Sequence, residues 1–207
     1  MTLYLENTLY KNILKLMSGE GIGRAIGFVA APFITRLYTP SDFGMLAVFV
    51  SLSALSYPFC TLRYTLAIPL HANERIGANS LAACFVVLGL TTAILGSSFA
   101  LFHLEILELF SSEIIDAYWY FVPLAFFLYG IAEILSYYCT RYRDFSMIAG
   151  VTVAQNAVGA VVKIALGLFR FNVIGLLIGN IMAESGGLTL YMRAYGKRLK
   201  EEARYVT

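Results

Sequence analysis

Five ionisable side chains stand in stretches otherwise too apolar for them: Glu20, Arg24, Glu133, Lys163 and Glu184. A charge in hydrocarbon costs about 2.5–3.5 kcal/mol on insertion scales, so such residues persist where they face protein or a water-filled path. The chemistry open to them is recognition rather than bond-making. Arginine and lysine attract anionic groups, and carboxylates balance those charges or carry a coupling cation. Glu20 and Arg24 are one helical turn apart and can also pair with each other. Buried ion pairs seldom add net stability, however. Charges in four of six apolar segments also exceed what packing requires. The pattern predicts a polar cavity, with Arg24 and Lys163 binding an anionic substrate and Glu20, Glu133 and Glu184 acting in charge balance or ion coupling.

Catalytic groupings are lacking. His71 and His103 have no acid at a recognisable spacing, Glu105 beside His103 being unconvincing alone. Cys60, Cys84 and Cys139 lie singly in apolar surroundings and read as packing residues. The expectation is a protein without catalytic residues, metal or cofactor, and not an enzyme.

The elements that must position the charges are membrane spans. The 207 residues are 59% hydrophobic and 14% charged, against about 25% charged in a soluble domain. Phe43–Leu62, Ile76–Phe102 and Phe145–Val162 carry no charge at all, and about 20 apolar residues cross the hydrocarbon core as a helix. Alternation of period two is absent, which argues against a β-barrel. The expected fold is all-α: a polytopic membrane protein with six transmembrane helices, at about 13–35, 44–68, 77–102, 117–138, 146–169 and 172–193, in a single lobe over 1–207 whose residues 194–207 form a basic cytoplasmic tail. Pro32, Pro58 and Pro123 fall inside spans and predict kinks there. The polar start, Met1–Asn12, does not read as a cleavable signal peptide.

Lysine and arginine placement orients the spans. With the N-terminus cytoplasmic, the inner segments hold eleven basic residues: Lys11, Lys15, Arg63, Arg75, Arg141, Arg143, Arg193, Lys197, Arg198, Lys200 and Arg204. The outer segments hold Arg36 and Arg170. Both termini are therefore expected inside. The segment 103–116, with Glu105, Glu108, Glu113 and Asp116, reads as a solvated outer loop. At a rise of ~1.5 Å per residue, Glu20 and Glu133 fall in the inner third, Arg24 and Glu184 near the middle, and Lys163 toward the outer third.

Thr35–Gly44 reads TRLYTPSDFG, in which Thr39 suits an N-cap, Pro40 the first helical position and Asp42 the acid of a capping box. Small residues recur every fourth position in three segments: Gly19, Gly23, Gly27 and Ala31; Gly175, Gly179, Ala183 and Gly187; Gly159 and Gly167 about Lys163. Such stripes let helix backbones approach closely, and tight packing is their expected role.

The Arg-Leu-Tyr-Thr-Pro-x-Asp-Phe-Gly turn after a glycine-rich first span resembles the polysaccharide flippases of the multidrug/oligosaccharidyl-lipid/polysaccharide (MOP) exporter superfamily, the O-antigen flippase type. Thr61-Leu62-Arg63-Tyr64, Arg141-Tyr142-Arg143-Asp144-Phe145 and Gly175–Asn180 fit the same pattern. The resemblance covers the chain but only the N-terminal six-helix lobe of a two-lobed family. It implies movement of undecaprenyl-pyrophosphate-linked glycan units from the cytoplasmic to the periplasmic leaflet of a bacterial inner membrane, for O-antigen, lipopolysaccharide or capsule and exopolysaccharide synthesis. The implied partners are the lipid-linked oligosaccharide, membrane lipid and a second lobe or second copy; no nucleic acid is expected. A truncated non-transporting subunit and a related MOP-type small-molecule exporter are the alternatives.

Overall fold

A computed structural model describes residues 2–70, 73–109 and 118–202. Among them the chain is helical throughout: α1 (Thr2–Leu37), α2 (Pro40–Ser56), α3 (Glu74–Leu109), α4 (Phe121–Arg141), α5 (Phe145–Leu168), α6 (Asn172–Ser185) and α7 (Leu188–Glu202), with 3-10 turns at Tyr57–Phe59 and Tyr64–Leu70. Five stretches are long and apolar enough to cross a membrane: Pro40–Phe59, Arg75–Phe102, Phe121–Arg141, Phe145–Leu168 and Asn172–Leu199. The protein is a membrane protein of helical type.

Several expectations are corrected here. Five of the six expected spans have the length and composition of a membrane-crossing helix. Residues 13–35 are helical within α1, but Lys15, Glu20, Arg24 and Arg36 leave it no sufficiently apolar window. The second span ends near Phe59 rather than at 68. Pro58 enters a 3-10 turn, and Leu62 (φ 49°) and Arg63 (φ 62°) take left-handed backbone, which ends the helix. Thr91 Oγ1 braces that break by donating to the Cys60 carbonyl at 2.8 Å. The last span is two helices divided at Gly186–Gly187, and its helix continues to Glu202. The expected outer loop 103–116 begins as helix, since α3 runs to Leu109; residues 110–117 lie outside the described residues. Of the three prolines, only Pro32 is interior to an α-helix. Pro123 sits in the first turn of α4, where its missing N–H removes no helical bond.

Packing follows the small residues. The helices lie side by side as α1, α5, α6, then α2 and α4, with α3 beyond α4. A Cβ on Gly19 would stand 2.6 Å from Ala149 Cβ, and one on Gly159 would stand 2.6 Å from Ala183 Cβ. Glycine is thus what lets α1 meet α5 and α5 meet α6. In lipid, where apolar burial gives no drive between helices, close backbone approach of this kind supplies the packing energy. α4 carries the core. Phe126, Ile134, Leu135, Tyr138 and Cys139 are buried against α3 and the second 3-10 turn. Val122 and Ala125 are buried with Phe49 and Leu52 of α2 and with Val173, Leu177 and Ile181 of α6.

The turn between α1 and α2 forms as its spacing predicts. Thr39 N–H donates to Asp42 Oδ2 at 2.8 Å, and Asp42 N–H donates to Thr39 Oγ1 at 3.3 Å, a closed capping box with Pro40 in the first turn. Tyr38, buried at this turn, donates its hydroxyl to the Lys163 carbonyl at 2.7 Å, fixing the end of α1 to α5. Burial and the Asp42 carboxylate both push the Tyr38 phenol upward, so it remains a neutral donor.

Candidate functional site

Side by side, α5 and α6 form the floor of a groove, α1 forms one wall, and α2 and α4 form the other. The groove holds two cavities that meet at Asn156 and Ala183. The one beside α4 has a volume of about 510 Å³ and is lined by Glu20, Glu133, Glu184, Gln155, Thr152, Ser136 and three tyrosines, Tyr129, Tyr137 and Tyr191. That volume is far beyond one water's ~30 Å³ and lies in the range of small-ligand sites. The one beside α2 has a volume of about 220 Å³; Gly27, Ala30, Ile34, Phe43, Leu46, Gly159 and Lys163 line it.

Lys163 reaches the smaller cavity from α5. Its stem passes over Gly179 of α6, where any Cβ would collide with the lysine Cγ, so this glycine clears the lysine's path. The ammonium and the Glu184 carboxylate attract each other across the groove floor without closing an ion pair.

Glu184 is held from α5, from α6 and from the turn after α2. Tyr57 donates its hydroxyl to Oε2. Asn180 Nδ2 donates to Oε1 at 3.4 Å, and Gln155 Nε2 donates to the Glu184 carbonyl at 2.9 Å. The Tyr57 ring stacks on Tyr129 with centroids 3.9 Å apart and planes 4° from parallel. Glu133 receives Cys60 Sγ–H at 3.0 Å and Thr61 Oγ1–H at 3.3 Å from the segment after α2. Both carboxylates on the α4–α6 side are therefore fixed by groups at the end of α2. That is why the break in the second span matters to the site: it brings Tyr57, Cys60 and Thr61 level with α4 and α6.

Of the residues singled out by sequence, the fold brings Glu20, Glu133 and Glu184 to one cavity and Lys163 to the adjoining one. Arg24 lines neither. Its Nε donates to Glu20 Oε2 at 3.4 Å, and the two side chains are 84% and 58% exposed. Sequence reasoning missed Tyr57, Tyr129, Thr61, Asn156 and the role of Cys60. The signals were present but faint: a tyrosine beside Pro58, and Asn156 one residue from Gln155. All three cysteines are buried and free, with Cys84 and Cys139 in the core and Cys60 in the carboxylate network. No group of three or more His, Cys, Asp or Glu is placed to hold a metal ion among the described residues.

The sequence model of a family described as polysaccharide biosynthesis protein matches residues 33–205. The chain belongs to this family. Its role therefore lies in polysaccharide synthesis or export. Within the polysaccharide biosynthesis match fall Glu133, Lys163, Glu184 and the whole groove floor, whereas Glu20 and Arg24 precede it. No curated protein and no solved structure matches the chain.

Proposed function

We propose that the chain is one lobe of a flippase that moves a lipid-linked oligosaccharide across the bacterial inner membrane, both termini facing the cytoplasm, without catalysing a covalent step. The observation that carries this reading is the groove itself: a lysine and three carboxylates, from four helices, converge on adjoining cavities in a membrane bundle of a polysaccharide biosynthesis protein. In this reading Lys163 attracts the pyrophosphate or acidic sugars of the substrate. The tyrosines and amides of the larger cavity line a path for the glycan. Glu133 and Glu184 balance charge or couple a cation. Arg24, exposed on α1, meets an anionic group only when a second wall closes over that face. A second lobe or a second copy supplies that wall, and access alternates by rocking of one against the other.

Surface glycan in a flippase-null strain complemented with this protein, together with whatever second lobe restores export, tests the reading. Lys163→Ala is expected to abolish surface glycan while the protein still reaches the membrane at normal level. Lys163→Arg, which keeps the charge, retains part of it. Full export by Lys163→Ala would remove the groove from the transport path.

A further inference from the structure

At the end of the bundle opposite the α1–α2 turn, where α4 passes into α5, Arg141 and Arg198 stand by Tyr142 and exposed Arg143 follows it. The Arg141 guanidinium lies 5.8 Å from the Tyr142 ring centre, and that of Arg198, from α7, lies 5.1 Å from it. Arg141 is threaded through a notch at Gly77 of α3, where any Cβ would collide with its guanidinium. One of its nitrogens, Nη2, donates to the Asn73 carbonyl at 3.3 Å; the other, Nη1, is buried and has no acceptor. Arg143 closes the turn with left-handed backbone (φ 56°), with its N–H donating to the Thr140 carbonyl at 3.0 Å and the next N–H to the Cys139 carbonyl at 3.1 Å. Glycine is the usual residue at such a helix end. An arginine there carries a backbone cost, and its side chain is held out in the open.

Among the residues whose side chains are described, the one ion pair is Glu20–Arg24, in another part of the molecule. The carboxylate nearest in sequence, Asp144, is already occupied: Oδ1 accepts the Met147 N–H at 3.1 Å, capping α5, and Oδ2 accepts the Tyr195 hydroxyl at 2.7 Å. The aromatic floor is also built. Tyr142 packs on Tyr138 and Tyr195, which are themselves buried in the core. The α7 helix completes the corner. Its Tyr191 and Tyr195 turn inward, while Arg193, Lys197 and Arg198 face out.

We infer that this corner, Arg141, Arg143 and Arg198 about Tyr142, binds the phosphodiester headgroup of an anionic phospholipid. The choice of occupant rests on charge and place. The corner is cationic, it lies at the end of two membrane-crossing helices where headgroups lie, and its tyrosine floor suits the boundary between headgroup and acyl chain. Guanidinium forks match phosphate geometry. A bound headgroup would join α4, α5 and α7 at their shared end. The site is separate from the groove, so it does not depend on the transport reading.

The test is a melting titration of the full chain in detergent with phosphatidylglycerol, phosphatidylcholine or inorganic phosphate, comparing the native protein with Arg143→Gly, Arg198→Gln and their double variant. Arg143→Gly is chosen because glycine adopts this backbone without strain, so the variant folds at least as well. Phosphatidylglycerol is expected to raise the melting temperature saturably, and phosphatidylcholine is expected to have little effect. Each single variant weakens the apparent phosphatidylglycerol affinity roughly fivefold, a value that follows from about one surface charge's attraction to anionic lipid. Arg193→Gln, outside the Tyr142 corner, retains the native affinity and controls for net charge. An unchanged phosphatidylglycerol affinity in the double variant would overturn the inference. So would an equal response to phosphatidylcholine, an equal loss in Arg193→Gln, or full reproduction of the shift by inorganic phosphate.

Discussion

A carboxylate inside a membrane bundle is tolerable when donors surround it, and Glu184 has them from three helices or turns: Tyr57, Asn180 and the attraction of Lys163. Tyr57 does two things at once, donating its hydroxyl and stacking on Tyr129, and the two can be separated. Tyr57→Phe keeps the ring and leaves the carboxylate short of its principal donor, a loss of about 1–3 kcal/mol. Tyr57→Leu removes the stack as well, a further ~0.5–1.5 kcal/mol. Thermal unfolding in detergent should therefore rank native, Tyr57→Phe and Tyr57→Leu in that order. Equal melting of native and Tyr57→Phe would mean that the hydroxyl does not hold Glu184. At this scale the sequence was readable for charge and poorly readable for its partners. Glu133, Lys163 and Glu184 stand out because the cost of their burial is high anywhere in a span. Tyr57, Thr61 and Cys60 do not, because the same residues at an apolar segment's end are ordinary. Arg24 shows the converse: its placement in an apolar run says that it must face something polar, and among the described residues it meets Glu20.

Helices were legible as helices because the apolar runs are long, and α3, α4 and α5 lie close to their expected positions. The break at Pro58 was legible from its proline, but its extent was not. Within Tyr57–Leu70 the left-handed positions are Leu62 and Arg63 rather than glycine, so nothing marks where the backbone turns. The small-residue stripes were legible as packing surfaces, and the structure separates their members. Gly19 sits on Ala149 with no room for a methyl, whereas Gly27, two helical turns along the same stripe, has nothing within 4 Å of where a Cβ would stand and lines the smaller cavity. Gly19→Ala should loosen the α1–α5 contact by about 1–3 kcal/mol, the usual cost of overpacking. Gly27→Ala should be neutral or slightly stabilising, since alanine favours helix by ~1 kcal/mol over glycine. Thermal melts of the two variants check this. Equal destabilisation would show that the stripe acts as one surface rather than as a contact followed by a groove wall.

The whole molecule is a one-sided assembly. Its core lies around α4, while α1 is held through α5 and leaves Met17, Ile22, Phe28, Val29 and Phe33 exposed along with the Glu20–Arg24 pair. Which way the lobe stands in the membrane decides which leaflet the larger cavity serves and which leaflet supplies lipid to the Tyr142 corner. The sequence answers through charge, because basic residues are retained on the cytoplasmic side during insertion and acidic ones are not. The same asymmetry appears in the fold: Arg141, Arg143 and Arg198 gather at one end, and the sparsely charged α1–α2 turn lies at the other. Glu108→Cys and Lys197→Cys place single reporters beyond the two ends. Cys60, Cys84 and Cys139 are buried, so native thiols contribute little background labelling. In intact cells a membrane-impermeant maleimide is expected to label Glu108→Cys and to leave Lys197→Cys unlabelled until the cells are opened. The reverse pattern would turn the lobe over and with it the direction of the proposed transport. Labelling of both in intact cells would mean an odd number of crossings between positions 108 and 197 has been misjudged, and the helix to reconsider would be α6–α7, because its break at Gly186–Gly187 is the one place where a crossing can fold back to the side it came from.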